Sequence, residues 1–379
     1  MSDLSHILNH LGEDRDQYFG AVSPPIIQTS NFAFKTVEDL RRAVDTEFDT
    51  PIYTRGANPT VAILRSKLAA LEGTEEALIF GSGIAAICAA VISQVKAGDH
   101  IVSIRNPYGW AHALMEQLLA RFNVTVTFVE GVDASSYEAA TTERTRLYYL
   151  ESPNSWTFEV QDLEGISALA KNRGIVTILD NSYATPLFQK PHRHGIDLIA
   201  HSASKYISGH SDVVAGALCG SSQLIREIFK GEFMTLGGII SPHDAALLLR
   251  GLRTLPLRME RAVSSTKKVL DALRDHPKVE AVHFPFESST PGSSHAKKYI
   301  SEAGGLFSLS LRVKNTAEVE KFCNSLKRFL IACSWGGHES LVFPACAHRE
   351  NTRPSNLVRF YIGLEDPQVL IDDLIQALH

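Results

Sequence analysis

Cysteine is scarce and poorly spaced for cross-linking: five residues, at 88, 219, 323, 333 and 346, with no Cys-x-x-Cys pair. An odd, scattered set excludes a disulfide framework or a thiolate zinc site as the organising feature, and makes a reducing compartment the default. An excess of charge of one sign is missing too. A net charge of −5 with 21% charged residues leaves no basic face for nucleic acid. No apolar run approaches the length of a membrane span. The opening Met1-Ser2-Asp3-Leu4-Ser5-His6 lacks the charged and apolar regions of a signal peptide, so a cytoplasmic location is expected. Repeats and low-complexity tracts are absent. What is there, 379 residues of which 44% are apolar, suffices for two domains with large cores, or one large and one small.

The most informative stretch runs from Ile175 to Gly220. Ile175-Val-Thr-Ile-Leu179 reads as a buried parallel strand and ends in Asp180-Asn181-Ser182-Tyr183. A second apolar run, Ile196 to Ala200, leads into His201-Ser202-Ala203-Ser204-Lys205-Tyr206, and a third, Val213 to Cys219, follows Gly209-His210-Ser211-Asp212. Lys205 is a lone amine between an apolar strand end and a Ser/Gly-rich turn. Burial there lowers an amine's pKa and makes it a nucleophile toward aldehydes. An Asp and a Lys at neighbouring strand ends fit a pyridoxal phosphate site, the Lys binding the aldehyde and the Asp keeping the ring nitrogen protonated. Taken alone, the same Asp is an ordinary helix cap and the Lys an ordinary solvated one. Ser202-x-x-Lys205 also matches the Ser-x-x-Lys of serine acyl-transfer enzymes, but the Ser-Asp-Asn and Lys-Thr-Gly that reading requires do not occur.

In chain order, residues 1–48 read as an arm with one short helix at Val37–Val44. Asn58 caps and Pro59 starts a helix that stops at Gly73, which leaves Tyr53 and Arg55 without a structural reason. After a strand at Ala77–Phe80, Gly81-Ser82-Gly83-Ile84-Ala85-Ala86 opens a helix. The Gly-x-Gly-x-x-Ala spacing resembles a dinucleotide fingerprint, yet the only candidate acid, Asp99, precedes the next strand instead of ending it. A phosphate cradle at a helix N-terminus remains. The strands Ile101–Ile104 and Arg146–Leu150 end in Arg105-Asn106-Pro107-Tyr108-Gly109-Trp110 and Glu151-Ser152-Pro153-Asn154-Ser155-Trp156. Polar clusters therefore recur at strand C-termini, where open parallel α/β sheets bind ligands. Past Gly220 the pattern becomes helical and then α+β, giving an arm (1–48), a large domain (49–245) and a C-terminal domain (246–379). His192, His194, His201 and His210 read as surface histidines, with no carboxylate at ligand spacing and no metal site expected.

Together these residues resemble the cystathionine synthase/lyase family of pyridoxal phosphate enzymes, the Cys/Met-metabolism group of the type I aminotransferase fold. Tyr53-x-Arg55-x-x-Asn58-Pro59-Thr60, Gly81-Ser82-Gly83, Tyr108-Gly109, Glu151-Ser-Pro153, Asp180-Asn181, Ser202-Ala-Ser204-Lys205-Tyr206 and Ser334-x-Gly-Gly-x-Glu-Ser340 stand in family order from about residue 20 onward. The resemblance implies an α/β fold with a mostly parallel large domain and a smaller C-terminal α+β domain. It implies that Lys205 carries the cofactor and moves the α-proton, that Asp180 pairs with the ring nitrogen, and that Tyr108 stacks on the ring. The Gly81, Ser82, Gly83 and Ile84 amides with Ser202 and Ser204 would bind the phosphate. Tyr53 and Arg55 would reach the site of a neighbouring subunit, in a homodimer that assembles into a homotetramer. Arg359 with Ser334 would clamp the substrate carboxylate.

Three departures from the family pattern stand out. Asn154-Ser155-Trp156 replaces an Asn-Pro, so either Asn154 or Ser155 would meet the ring hydroxyl. Trp110 stands where methionine γ-lyases carry Cys, and Cys333 where γ-acting enzymes often carry Glu. Ser334-Trp335-Gly-Gly and Glu151-Ser-Pro-x-Ser155 look most like bacterial cystathionine β-lyases. The expectation is therefore a carbon–sulfur lyase cleaving a substrate such as L-cystathionine by β-elimination to pyruvate, ammonia and homocysteine, with Trp110 and Cys333 shaping the substrate pocket. The alternatives are γ-elimination or γ-replacement, or a pyridoxal phosphate-binding protein without turnover.

Overall fold

A computed structural model describes residues 3–348 and 353–379. The apolar β-branched runs form one seven-stranded sheet: β1 Glu76–Phe80, β2 His100–Ile104, β3 Thr125–Val129, β4 Thr145–Glu151, β5 Val176–Asp180, β6 Leu198–His201 and β7 Gly216–Gly220. The spatial order is β1-β7-β6-β5-β4-β2-β3. β3, β2, β4, β5 and β6 pair in parallel, as continuous apolar strands between helices should. β7 runs antiparallel to both β6 and β1, so the sheet is mostly parallel, as expected, with its exceptions at the β1 and β7 edge. The reason lies in the connection: the turn from Ser202 to Ala215 carries no crossover helix, and only an antiparallel partner is reachable by so short a return.

The helix Pro59–Glu72 forms as its cap dictates, with Asn58 Oδ1 accepting the Thr60 N–H at 3.0 Å and Gly73 ending it. The helix after Gly83 stops at Ile92, shorter than its apolar pattern. That after Tyr108 starts at Gly109, widens over Leu114–Leu118 and tightens over Leu119–Phe122.

A second sheet holds β8 Val279–His283, β9 Leu306–Leu311, β10 Leu330–Ile331, β11 Leu341–Pro344 and β12 Leu357–Tyr361, in the order β10-β11-β12-β9-β8. The boundary expected at 245/246 falls inside one continuous helix, Pro242–Arg253, which Ser241 caps through the Asp244 N–H. The two sheets are tied directly. Tyr206 Oη accepts the Gly305 N–H at 2.7 Å, and Tyr183 Oη donates to the Leu306 carbonyl at 3.1 Å.

The arm is partly core. A helix at Leu4–Asn9 buries Ile7 and Leu8, and buried Lys67 donates to their carbonyls at 2.9 and 3.0 Å while pairing with buried Glu13 at 3.1 Å. Helix Val37–Asp45 matches the short helix expected there. Phe19, Val22 and Ile26, by contrast, stand exposed. Among the described residues no helix is long and apolar enough to cross a membrane.

Candidate active site

Lys205 sits in the turn after β6, half-buried, with its Nζ donating to Ser334 Oγ at 2.5 Å and lying 5.7 Å from the Trp335 ring centre. Burial, then the nearby Arg359 charge, pushes its amine down to about 8, against a smaller opposing pull from Cys333 and Asp180. Ser334 holds a left-handed backbone (φ 82°), unusual for a residue with a side chain. Gly336 (φ +90°) lets the same loop lie on the lysine turn, since a Cβ there would come within 2.8 Å of Lys205 backbone carbon. Strain in this loop is thus the cost of presenting a hydroxyl to the amine.

Asp180 ends β5 beside that turn. Ser182 gives both its N–H (2.9 Å) and its hydroxyl (2.5 Å) to Oδ1, so Oδ2 is the oxygen an incoming cation would meet. Burial nevertheless holds this carboxyl above its usual range, with Ser182, His201 and Lys205 pulling the other way. A buried acid under that tension is satisfied by a protonated ring nitrogen. Behind it His201, expected at the surface, is 1% exposed and pairs with fully buried Glu72 at 2.5 Å. Asn181 donates to the same Glu72 oxygen at 2.9 Å. A strand-end His flanked by apolar residues was the available signal for that burial.

The phosphate cradle is built from the helix Gly83–Ile92. Ser82 Oγ caps the Ala85 N–H at 3.1 Å, while the N–H groups of Gly83 and Ile84, first in the helix, have no intrahelical acceptor. Ser202 packs against this end so closely that a Cβ on Gly83 would sit 2.9 Å from it. Gly81 lies at the same strand–helix turn, its N–H bonded to the Gly238 carbonyl at 2.8 Å. Ser204 plays a different part: its hydroxyl donates to the Ala215 carbonyl (3.1 Å) and accepts the Ala215 N–H (2.9 Å), tying the lysine turn to the entry of β7.

On the opposite side, buried Arg359 on β12 donates from Nη1 to the Ser155 carbonyl at 3.0 Å, with its guanidinium 4.7 Å from the Trp156 ring centre and 5.6 Å from that of Phe343. Arg353 lies at the same 4.7 Å from Trp156. Burial and then the Arg353 charge hold the Arg359 pKa below the usual guanidinium range. The two candidates for the ring hydroxyl differ in their contacts. Asn154 is fully buried and its Oδ1 accepts the N–H groups of Trp156, Thr157 and Phe158 at 3.1, 2.9 and 3.0 Å, while its Nδ2 donates to Thr157 and Glu159. It staples its own loop, and Ser155 is the residue left half-exposed. Tyr108 is 42% exposed with its N–H fixed by Glu151 Oε2 at 2.5 Å; burial, then the Asp180 charge, raises its phenol pKa. Cys333 is exposed.

Besides Tyr108, Cys333 and Ser334, three more of the expected residues are exposed. Tyr53, Arg55 and Trp110 are exposed, and Arg55 lies 5.5 Å over the ring of its own neighbour Tyr53. Sequence reasoning passed over Glu151, Ser182, Trp335 and Arg353 as site residues. Ser182, two positions after the strand-end Asp, had a visible turn signal; Arg353 had none.

The site thus offers a half-buried amine of lowered pKa, a buried acid, a helix N-terminus with open N–H groups and, within charge range of the amine, a buried guanidinium. This donor set fits pyridoxal 5'-phosphate. Residues 6–379 match the model of the Cys/Met metabolism PLP-dependent enzymes. The chain belongs to this family. It is 36% identical to L-methionine gamma-lyase of Pseudomonas putida, covering 97% of this chain and 95% of that protein. It is also 36% identical to cystathionine gamma-synthase of Mycobacterium bovis, over the same shares of each. The structure of metB from Corynebacterium glutamicum superposes with TM-score 0.94 at 32% identity, covering 100% of this chain and 98% of that one. That of a putative O-acetylhomoserine (thiol)-lyase from Campylobacter jejuni, solved with N'-pyridoxyl-lysine-5'-monophosphate, superposes with TM-score 0.93 at 27% identity over the whole of both chains. This family member is thus a PLP-dependent enzyme of Cys/Met metabolism, a lyase or synthase. The named relatives are γ-acting, which supports the alternative set out above better than the expected β-elimination.

Proposed function

We propose that this protein is a carbon–sulfur lyase releasing a thiol from a sulfur amino acid. One observation carries the reading: the Lys205 amine, held near pKa 8 by burial and bonded to Ser334 Oγ at 2.5 Å, lies within charge range of the buried guanidinium of Arg359. This supports reading Lys205 as a proton acceptor with Arg359 as a nearby carboxylate clamp. Bound pyridoxal phosphate supplies the electron sink for a carbanion at the α-carbon. Arg359 takes the α-carboxylate in its fork, fixing which α-bond faces Lys205. Lys205 removes the α-proton, with Ser334 Oγ holding the amine in place. Asp180 holds the ring nitrogen, Tyr108 covers the ring, Ser155 faces the ring hydroxyl, and the Gly83 and Ile84 amides with Ser202 hold the phosphate.

γ-Elimination is the first reading, because the relatives at 36–38% identity over most of their length include methionine γ-lyases. β-Elimination is the second, and residues of the site favour it. The bulky Trp110 follows Tyr108 by two positions, and Cys333 offers a thiol rather than a carboxylate to a distal ammonium. Methionine separates the two, since its sulfur is on the γ-carbon and a β-lyase cannot expel it. With L-methionine the protein is expected to yield 2-oxobutanoate, and with L-cystathionine 2-oxobutanoate in excess of pyruvate. Inert methionine together with pyruvate from cystathionine would transfer the assignment to β-elimination.

The outward-facing Tyr53 and Arg55 and the exposed Phe19, Val22 and Ile26 support a homodimer in which Tyr53 and Arg55 of one chain complete the other chain's phosphate site. Mixed Lys205→Ala and Tyr53→Phe chains, each poorly active by itself, are expected to regain activity as hybrids, because one of the two sites is then intact. Hybrids verified by mass but still inactive would return Tyr53 to a role outside the site.

A further inference from the structure

Glu151 is a 5%-exposed carboxylate at the end of β4 that none of the roles above uses. The β4–β5 register places it directly opposite Asp180, so two acids stand side by side in the core of the site. Such a pair is costly unless something holds it. Two backbone bonds do so: Oε2 accepts the Tyr108 N–H at 2.5 Å and Oε1 accepts the Ser155 N–H at 3.0 Å. These N–H groups belong to different loops. The first carries the Tyr108 ring; the second carries the Ser155 carbonyl that receives Arg359 Nη1 at 3.0 Å. One side chain therefore ties the ring-covering aromatic to the carboxylate clamp.

We propose that Glu151 is a positioning residue that sets Tyr108 and Arg359 jointly, so that the ring cover and the clamp are held in one register. This rests on the reading of the site as one that binds pyridoxal phosphate and an amino acid. Burial, then the Asp180 charge, raises the Glu151 pKa, and the Tyr108 N–H, the Ser155 hydroxyl and the Ser155 N–H lower it again, as expected of a carboxyl kept for the bonds it accepts. A purely structural acid would be indifferent to what its two partners hold.

The test is Glu151→Gln in the cofactor-loaded protein. An amide has one acceptor oxygen, so one of the two N–H groups must face an NH2. Two readouts are expected to move together: the visible absorption of the substrate-free enzyme shifts, reporting Tyr108, and KM rises at least tenfold, reporting Arg359. In the double variant with Arg359→Lys, the KM effects should be less than multiplicative. KM unchanged within twofold, a KM rise without a spectral shift, or multiplicative effects would overturn the proposal. Should the Gln variant not fold, Glu151→Asp, which keeps both acceptor oxygens on a shorter stem, is judged by the same pair of readouts. Failure of the underlying reading looks different: the unmodified protein would then show no visible cofactor band.

Discussion

Lys205→Ala is expected to abolish the visible band of the loaded protein and to lower turnover by about 10²–10⁴-fold or more, the range for removing a positioned general base, with loss of the covalent tether added. The cofactor-free protein offers a sharper check. An ordinary lysine, with pKa about 10.4, is neutral in about one molecule in 2,500 at pH 7, whereas an amine near 8 is neutral in about one in ten. Only the neutral amine attacks an aldehyde. Lowering the pKa therefore raises reactivity at neutral pH and brings its plateau down the pH scale. Loading with pyridoxal phosphate, followed by absorbance, should quicken about tenfold per pH unit up to about pH 8 and level off above it. A rate still climbing at pH 10 would mean that burial does not depress Lys205. Retention of both band and turnover in Lys205→Ala would remove the residue from its assigned place.

The parts of this site that could be read from the chain are those where a local rule and the fold agree. The run Ile175–Leu179 could only be a buried strand, and Asp180 had to stand at its end. Asn58 and Pro59 wrote the start of their helix in cap chemistry. Ser82 and Gly83 likewise announced a helix N-terminus before any ligand was considered. What remained hidden depends on partners distant in the chain. The direction of β7 follows from a return too short for a crossover, and an apolar run carries no sign of its direction. The burial of His201 depends on Glu72, 129 residues away. The placing of Leu4–Asn9 in the core depends on Lys67, whose amine reaches carbonyls about sixty residues back. Asn154 and Ser155 were indistinguishable by type. The loop geometry distinguishes their contacts, since Asn154 Oδ1 accepts three backbone N–H groups of its own loop.

Arg359 should show itself in KM rather than in the cofactor spectrum. Its guanidinium lies against the Trp156 and Phe343 rings and is oriented by the Ser155 carbonyl, so little freedom is lost when an α-carboxylate arrives. A desolvated charge-assisted contact of this kind is worth about 1.5–3 kcal/mol, or roughly 10- to 150-fold in kcat/KM. Arg359→Lys keeps the charge but loses the planar fork, the aromatic stacking and the Ser155 bond. It is therefore expected to raise KM by about tenfold or more and to leave the visible band in place, because none of its contacts is with Lys205 or Asp180 directly. Arg359→Leu, which loses the charge as well, should lose more in kcat/KM, toward the upper end of that range. An amino acid amide, which lacks the carboxylate, should discriminate poorly between the native protein and either variant. If both variants bind sulfur amino acids as tightly as the native protein, the clamp lies elsewhere, and Arg353 is the next residue to replace.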